Sequence, residues 1–240
     1  MVDINKHKFF LFRILKDIFE DKELNGILGF KGGTALMFFY DLPRFSVDLD
    51  FNLLDKKKED IVYEKIRELL LKHGTIHDEA KKFYGIVCVL NYGTGERKLK
   101  IEISNRDFND NYEIKNLLGI NMKVMISSDM FAHKLCTLLD RKTITNRDIF
   151  DCWFFMNNKT PLNKDIVEIR MGFPLADYIQ KCIAMLESRS DKNMLSGLGE
   201  LMNEDMKRFV RTRLRTETIT LLKFYKQFPI IVPASPPHTT

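Results

Sequence analysis

Apolar residues recur at two different periods along this chain, and the change from one to the other organises it. Leu11, Ile14, Leu15, Ile18 and Phe19 return every three or four positions beside Lys8, Arg13, Lys16 and Asp17, which predicts an amphipathic helix over residues 4–22 lying on one side of a sheet. Residues 27–30 form an apolar run of strand length, Gly32-Gly33 predicts a tight turn, and Thr34 is a candidate cap for a helix over residues 35–40. Beyond Pro43 the period becomes two over residues 45–53. A charged helix follows over residues 56–72, with Ile61, Ile66, Leu69 and Leu70 as its stripe, and Gly74 ends it. Two strands, residues 85–92 and 97–104, are joined through Gly93-Thr94-Gly95 as a hairpin; in the second, Leu99, Ile101 and Ile103 alternate with Lys98, Lys100, Glu102 and Ser104. One more strand is expected over residues 121–126. Ser127-Ser128-Asp129 and then Thr145 or Asn146 cap helices over residues 130–139 and 147–156. From Pro161 onward the strand pattern stops, residues 164–187 and 195–228 read as helical, and the Pro-rich residues 231–240 read as a disordered tail. The expectation is an α+β domain over residues 1–157, with a mixed β-sheet flanked by helices, then an α-helical C-terminal region over 158–230 and a tail over 231–240.

Composition narrows the picture without naming a chemistry. A chain of 240 residues, 45% of them apolar, can bury a substantial core. No apolar run approaches the roughly 18–20 residues of a membrane span. The first ten residues carry charge where a signal peptide is apolar, so a soluble, cytoplasmic protein with no membrane partner is expected. Cys88, Cys136, Cys152 and Cys182 are far apart with no C-x-x-C pair, which favours buried reduced thiols over a zinc cluster or a disulfide framework. A net charge of +5 is compatible with a polyanionic partner and common without one. His73 and His77 have metal-like spacing, but Gly74 breaks the helix that would align them, and they read as surface histidines.

Candidate chemistry concentrates in Ser46-Val47-Asp48-Leu49-Asp50-Phe51. Residues two apart in a strand share a face and lie roughly 6.6 Å apart, so Asp48 and Asp50 can converge on a hard cation while Val47, Leu49 and Phe51 enter the core. The glycine turn at Gly32-Gly33 is either a tight connection or, at a helix start, a set of free backbone N–H groups suited to phosphate. Glu102, between Ile101 and Ile103, is either the third carboxylate of a two-metal site for displacement at phosphorus or a partner of Lys98 and Lys100 in a solvated ladder. Asp48, Asp50, Asn52 and Glu59 also fall at EF-hand spacing, but Leu53 stands where that loop needs glycine, and Lys56-Lys57-Lys58 would sit inside an anionic loop. No G-x-x-x-x-G-K-[ST] loop is present. Lys207-Arg208-Phe209-Val210-Arg211-Thr212-Arg213-Leu214-Arg215 is either an RNA-facing basic surface or a solvated helix face with Glu204, Asp205 and Glu217 as local partners.

Lys31-Gly32-Gly33-Thr34-Ala35-Leu36 followed by Arg44-Phe45-Ser46-Val47-Asp48-Leu49-Asp50-Phe51 resembles the K-G-G-T-x-L and R-x-S-x-D-x-D signatures of AbiEii-type nucleotidyltransferase-like toxins, within the polymerase-β-like nucleotidyltransferase superfamily. His133-Lys134-Leu135 and Arg147-Asp148-Ile149-Phe150-Asp151 are similar to that family's later lysine and Arg-Asp-x-x-Asp motifs. The resemblance implies a nucleotidyltransferase fold, Mg²⁺ with a two-metal site, a nucleoside triphosphate (NTP) substrate, and transfer to an acceptor such as the 3′ end of tRNA in a toxin–antitoxin or phage-defence setting, with a cognate antitoxin. It implies Asp48, Asp50 and Glu102 as metal ligands and catalytic residues with Lys134 and Asp148, and Lys31, Gly32, Gly33, Thr34, Arg44, Ser46, Arg147 and Asp151 as nucleotide-binding residues. Asp148 lies only 148 − 134 = 14 positions after Lys134, so the choice between Asp148 and Asp151 as the functional acid stays open. A protein-modifying nucleotidyltransferase or kinase on the same fold, and a catalytically idle RNA-binding module, are the alternatives.

Overall fold

A computed structural model describes residues 3–141 and 143–233, and the chain divides into two compact units, residues 1–126 and 127–240. In the first unit the elements run α1 (Ile4–Glu20), β1 (Leu28–Lys31), α2 (Gly32–Phe39), β2 (Leu49–Leu53), a short 3₁₀ turn (Lys56–Lys58), α3 (Glu59–Leu71), β3 (Thr75–Lys82), β4 (Gly85–Asn91), β5 (Leu99–Ser104), β6 (Tyr112–Leu117) and β7 (Ile120–Met125). The seven strands form one mixed sheet in the order β3-β4-β5-β2-β1-β7-β6. β2 runs parallel to β5 and β1 parallel to β7, while the other neighbours are antiparallel.

Register converts the period-two pattern into two chemically different faces. Leu49 lies beside Ile101 and Phe51 beside both Ile103 and Phe30, all buried. Phe19 of α1 packs on Phe30 and Phe51 with ring centroids 6.5 and 6.2 Å away, so α1 covers this apolar face. Because the pleat alternates, the same register places Lys31, Asp50 and Glu102 in one row on the opposite face. Both sheet edges avoid long apolar strands: β3 reads Thr-Ile-His-Asp-Glu-Ala-Lys-Lys and carries an irregularity at Ile76 and Asp78, as edge strands that resist further pairing do.

Three local expectations are revised here. The strand expected from residue 45 begins at Leu49, because residues 45–48 are held by side chains instead of a ladder. The helix expected from residue 35 begins at Gly32, with Lys31 at its N-cap, so Thr34 lies inside it and caps nothing. His73 is not a surface histidine: its side chain is largely buried, with Nε2 2.6 Å from Asp17 Oδ2. β3 and β6 were not anticipated, since their half-exposed, charged sequences carry little alternation.

The second unit is helical: α4 (Ser127–Asp140), α5 (Asn146–Asn157), α6 (Lys164–Met171), α7 (Leu175–Glu187), α8 (Glu204–Thr212) and α9 (Leu214–Gln227). Phe131 and Phe155 stack at 5.1 Å and Tyr225 closes edge-on at 5.8 Å, tying α4, α5 and α9 into one core. Buried hydroxyls are satisfied within it, Tyr178 donating to Cys136 O (2.9 Å) and Tyr225 to Thr160 O (3.0 Å). The boundary expected near residue 157 falls inside this unit, between α5 and α6. Of the tail expected over residues 231–240, Ile231 pairs with Leu162 and Val232 N donates to Leu162 O (3.0 Å); residues 234–240 lie outside the described residues. All four cysteines are buried free thiols, and burial pushes Cys88 up to about 11. No helix among the described residues is long and apolar enough to cross a membrane.

Candidate active site

The glycine turn and the Asp50 carboxylate meet in space, and the Asp48 backbone is tied to the helix that follows the turn. Gly32 has φ +80°, in the left-handed region that disfavours side chains, and a Cβ there would fall 2.3 Å from Asp50 Oδ2. The carboxylate therefore rests directly on the turn. A Cβ on Gly33 would meet Ser46 Oγ at 2.6 Å and Arg44 Nη2 at 3.0 Å, so those two largely buried side chains frame the second glycine. Arg44 Nη1 also donates to Phe45 O (3.2 Å). α2 starts at these glycines, and its first N–H groups lack intrahelical acceptors, which is the arrangement that accepts phosphate oxygens.

Asp48 precedes β2, and its segment is pinned from two helices. Thr34 Oγ1 donates to Asp48 O, and His7 Nε2 lies 2.8 Å from Val47 O. The other His7 nitrogen is 2.6 Å from the Tyr92 hydroxyl. Burial of His7 lowers its pKa and Arg97 acts the same way, against the opposing Val47 hydrogen bond and the Asp48 and Glu96 charges. A neutral ring donating from Nε2 to Val47 O and accepting the Tyr92 hydroxyl at Nδ1 satisfies both contacts.

Glu102 and its neighbour Lys100 share a face of β5 and form an ion pair at 2.9 Å. Burial raises the Glu102 pKa, but the Lys100 hydrogen bond and charge, with Lys31 and Arg106, hold it below the usual carboxylate range. Burial works against the charge on Lys100 as well, and Glu102, Asp48 and Asp50 outweigh it and raise its pKa. Lys100 is thus paired with Glu102 and within reach of the Asp48 and Asp50 charges, and both readings of Glu102 survive: it is a member of the acid row and it is paired with a strand lysine. The donor set, carboxylate oxygens only, suits a hard cation such as Mg²⁺, and Asp50 beside Glu102 fits such an ion in register. As the side chains stand, no group of three or more acidic, histidine or cysteine side chains converges as a metal cluster among the described residues.

Beside the acids lies a network that the motifs did not indicate. Lys31 Nζ donates to Asn52 Oδ1, and Asn52 Nδ2 donates to Asp110 Oδ2 and Tyr112 Oη, both at 2.7 Å. Gly29 makes room for it, because a Cβ there would lie 2.2 Å from Tyr112 Cε1. Asn52 continues the i, i+2 series Asp48, Asp50, Asn52, and that spacing was a signal for it; Asp110 and Tyr112 arrive from distant sequence and had none.

Of the residues picked out in sequence, Lys31, Gly32, Gly33, Thr34, Arg44, Ser46, Asp48, Asp50 and Glu102 gather around the β1–α2 turn, β2 and β5 of the first unit. Lys134, Arg147, Asp148 and Asp151 belong to the second unit. There Lys134 Nζ pairs with Asp151 Oδ2 at 2.8 Å, the carboxylate being fully buried. Asp148 is the third residue of a capping box: its N–H meets the Thr145 hydroxyl and its carboxylate accepts from Thr145 N, with Arg141 Nη1 3.3 Å away. Arg147, one position earlier on α5, is half-buried. In the basic segment Lys207 pairs with Glu204, Arg208 with Asp205, Arg213 with Glu217, and Arg215 with Asp191 through two nitrogens at 2.6 and 3.0 Å.

The fold is similar to that of a candidate nucleotidyltransferase from H. pylori, at 21% identity and TM-score 0.63, covering 95% of this chain and 97% of that one. It is equally similar to JHP933 from Helicobacter pylori, at 21% identity and TM-score 0.62, covering 95% and 94%. No curated protein sequence matches the chain. The family model described as the nucleotidyl transferase AbiEii toxin of a type IV toxin–antitoxin system matches residues 13–220, most of its length. This chain belongs to the AbiEii nucleotidyltransferase toxin family.

Proposed function

We propose that the chain is a Mg²⁺-dependent, cytoplasmic toxin that transfers a nucleotide from an NTP to an RNA acceptor, with the 3′ end of tRNA the favoured site, and that a cognate antitoxin or a phage-defence role accompanies it. The observation that carries this reading is the Asp50 carboxylate seated against Gly32, with Glu102 beside it in register. One surface then offers amide donors for outer phosphates and acids for a cation.

In this reading the acceptor hydroxyl oxygen forms a bond to the α-phosphorus as the bond to the pyrophosphate oxygen breaks. Asp48, Asp50 and Glu102 would hold Mg²⁺, which would supply Lewis-acid polarisation of phosphate oxygens. The Gly32, Gly33 and Thr34 amides grip the outer phosphates. Arg44 and Ser46 are set at the second glycine to bind the same group. Glu102, ionised because Lys100 and Lys31 hold its pKa down, orients the hydroxyl and accepts its proton. Lys31, tied to Asn52, places a second positive charge on this face. In the second unit, Lys134 backed by Asp151 is proposed as a phosphate ligand on the strength of the family motif, together with Arg147. Asp151 fits the positioning role better than Asp148, whose carboxylate caps α5.

Incubation with each α-labelled NTP, Mg²⁺ and total RNA tests the proposal. Label should enter RNA, and Asp50→Ala should reduce it by about 100-fold or more. Label on protein, transfer of γ-label, or full transfer by Asp50→Ala would each overturn it. An Asp48→Ala chain that no longer transfers nucleotide but keeps its biological effect would favour the RNA-binding module instead.

A further inference from the structure

Phe83 and Tyr84 form the turn between β3 and β4, and they are 87% and 59% exposed; Phe83 is the most exposed large apolar side chain among the described residues. Their rings meet edge to face at 4.8 Å. The turn is fastened in place: Asn105 N donates to Tyr84 O (3.1 Å) and Asn105 Nδ2 to Phe83 O (3.3 Å). Gly85, with φ +129°, allows the close return, since a Cβ there would lie 1.9 Å from Ile103 O. A rigid, exposed aromatic pair is a costly surface for a protein to leave uncovered, and such surfaces mark binding sites.

The surroundings are cationic. The Arg106 guanidinium lies 5.3 Å from the Tyr84 ring centroid, Lys82 is exposed beside the pair, and Asn105 Nδ2 also donates to Glu59 Oε1 (3.2 Å), bringing up the start of α3 and the exposed Lys56, Lys57 and Lys58 before it. Asp60, an exposed acid in the first turn of that helix, is matched by Lys81 at 2.7 Å, and the helix's other exposed acids, Glu64 and Glu68, lie further along it. Aromatic faces bordered by arginine and lysine suit stacked bases and a phosphate backbone better than an apolar protein patch. The place on the sheet also matters. Val87 is the register partner of Glu102, and Tyr84 lies against Asn105, three residues or about 10 Å further along the strand direction.

We infer that the Phe83-Tyr84 turn, with Arg106, is a stacking platform for the single-stranded end of the acceptor RNA, delivering it along β5 toward Glu102. The inference rests on the transferase reading above. Binding is measured by fluorescence anisotropy with a labelled 12-nucleotide single-stranded RNA and with a duplex of the same sequence. The full-length wild type should prefer the single strand. The paired substitution Phe83→Ala, Tyr84→Ala should weaken single-strand binding by about 10-fold with an unchanged melting temperature, whereas Phe83→Trp, Tyr84→Trp should retain it. Single-strand affinity within twofold of wild type in the alanine variant overturns the platform. So does loss of antitoxin capture with RNA affinity intact, which would assign the turn to protein docking. Because Asp50→Ala should abolish transfer yet leave RNA binding unchanged, the two readings fail separately: unchanged binding in the alanine variant alongside RNA labelling by wild type removes only the platform, and labelling of protein alone removes the RNA-transferase reading.

Discussion

At the scale of single residues, the arrangement of charge makes sharp demands. Lys100 is paired with Glu102 at 2.9 Å and holds its pKa down against burial. Lys100→Met should therefore raise the Glu102 pKa, measured by carboxyl NMR titration with Glu102→Gln for assignment; an unmoved midpoint would remove Lys100 from the site. His7 supplies a pH dependence that a fully solvated histidine would not. Its folded pKa is lowered by burial, so the unfolded chain takes up this proton first as pH falls below about 6.5. Its contribution to stability is intact above that pH and is lost on acidification toward the folded pKa. Denaturant titrations between pH 7 and 5 should show a decline that His7→Gln lessens. At Gly32 the constraint is steric as well as conformational, because φ is +80° and Asp50 Oδ2 fills the space of a Cβ. Gly32→Ala should cost about 1–3 kcal/mol and displace the carboxylate, so unfolding curves and nucleotide transfer should both suffer.

At the scale of elements, each acid's role follows from where its helix or strand puts it. Asp50 and Glu102 are strand residues in register, so their placement is as rigid as the ladder between β2 and β5. Asp48 lies outside the ladder and depends on Thr34 and His7, contributed by α2 and α1. Asp148 and Asp151 are three apart on α5, yet one closes a capping box and the other is a fully buried partner of Lys134. Thr145→Ala should lower stability by about 0.5–2 kcal/mol through loss of the cap. Lys134→Met, which leaves a buried carboxylate without that charge, should cost on the order of 3 kcal/mol. Thermal unfolding separates these effects; equal losses at both positions would contradict the distinction. How legible such roles were in sequence depends on how local they are. β2, β5 and the apolar face follow from period two, because alternation over a few residues is enough to specify them, and β1 from a short apolar run. The half-exposed edge strands β3 and β6, and the use of Thr34 as a tether for Asp48, depend on neighbours far along the chain and left no local trace.

At the scale of the whole molecule, a net charge of +5 does not locate a polyanion site, because the densest run of cations, residues 207–215, is largely matched by acids within the second unit. Exposed pairs of this sort are weak and screened by salt. Arg208→Glu with Arg213→Glu should accordingly change RNA affinity by less than about threefold at physiological salt, whereas a drop of tenfold or more would make this face the RNA surface. Family membership over residues 13–220 and the shared fold establish a nucleotidyltransferase; the acceptor is a matter for the labelling experiment. What the sequence by itself determined was the chemistry on offer: an acid pair at strand spacing, a glycine turn before a helix, and an amphipathic pattern that admits a mixed sheet. Tertiary structure alone decided that the Asp50 carboxylate rests on Gly32, that Glu102 stands beside it with Lys100 attached, and that Asn52, Asp110, Tyr112 and His7 brace the surroundings. The physical reason is that alternation assigns a side chain to a face, whereas only strand order and register decide which side chains from distant segments share a place on it.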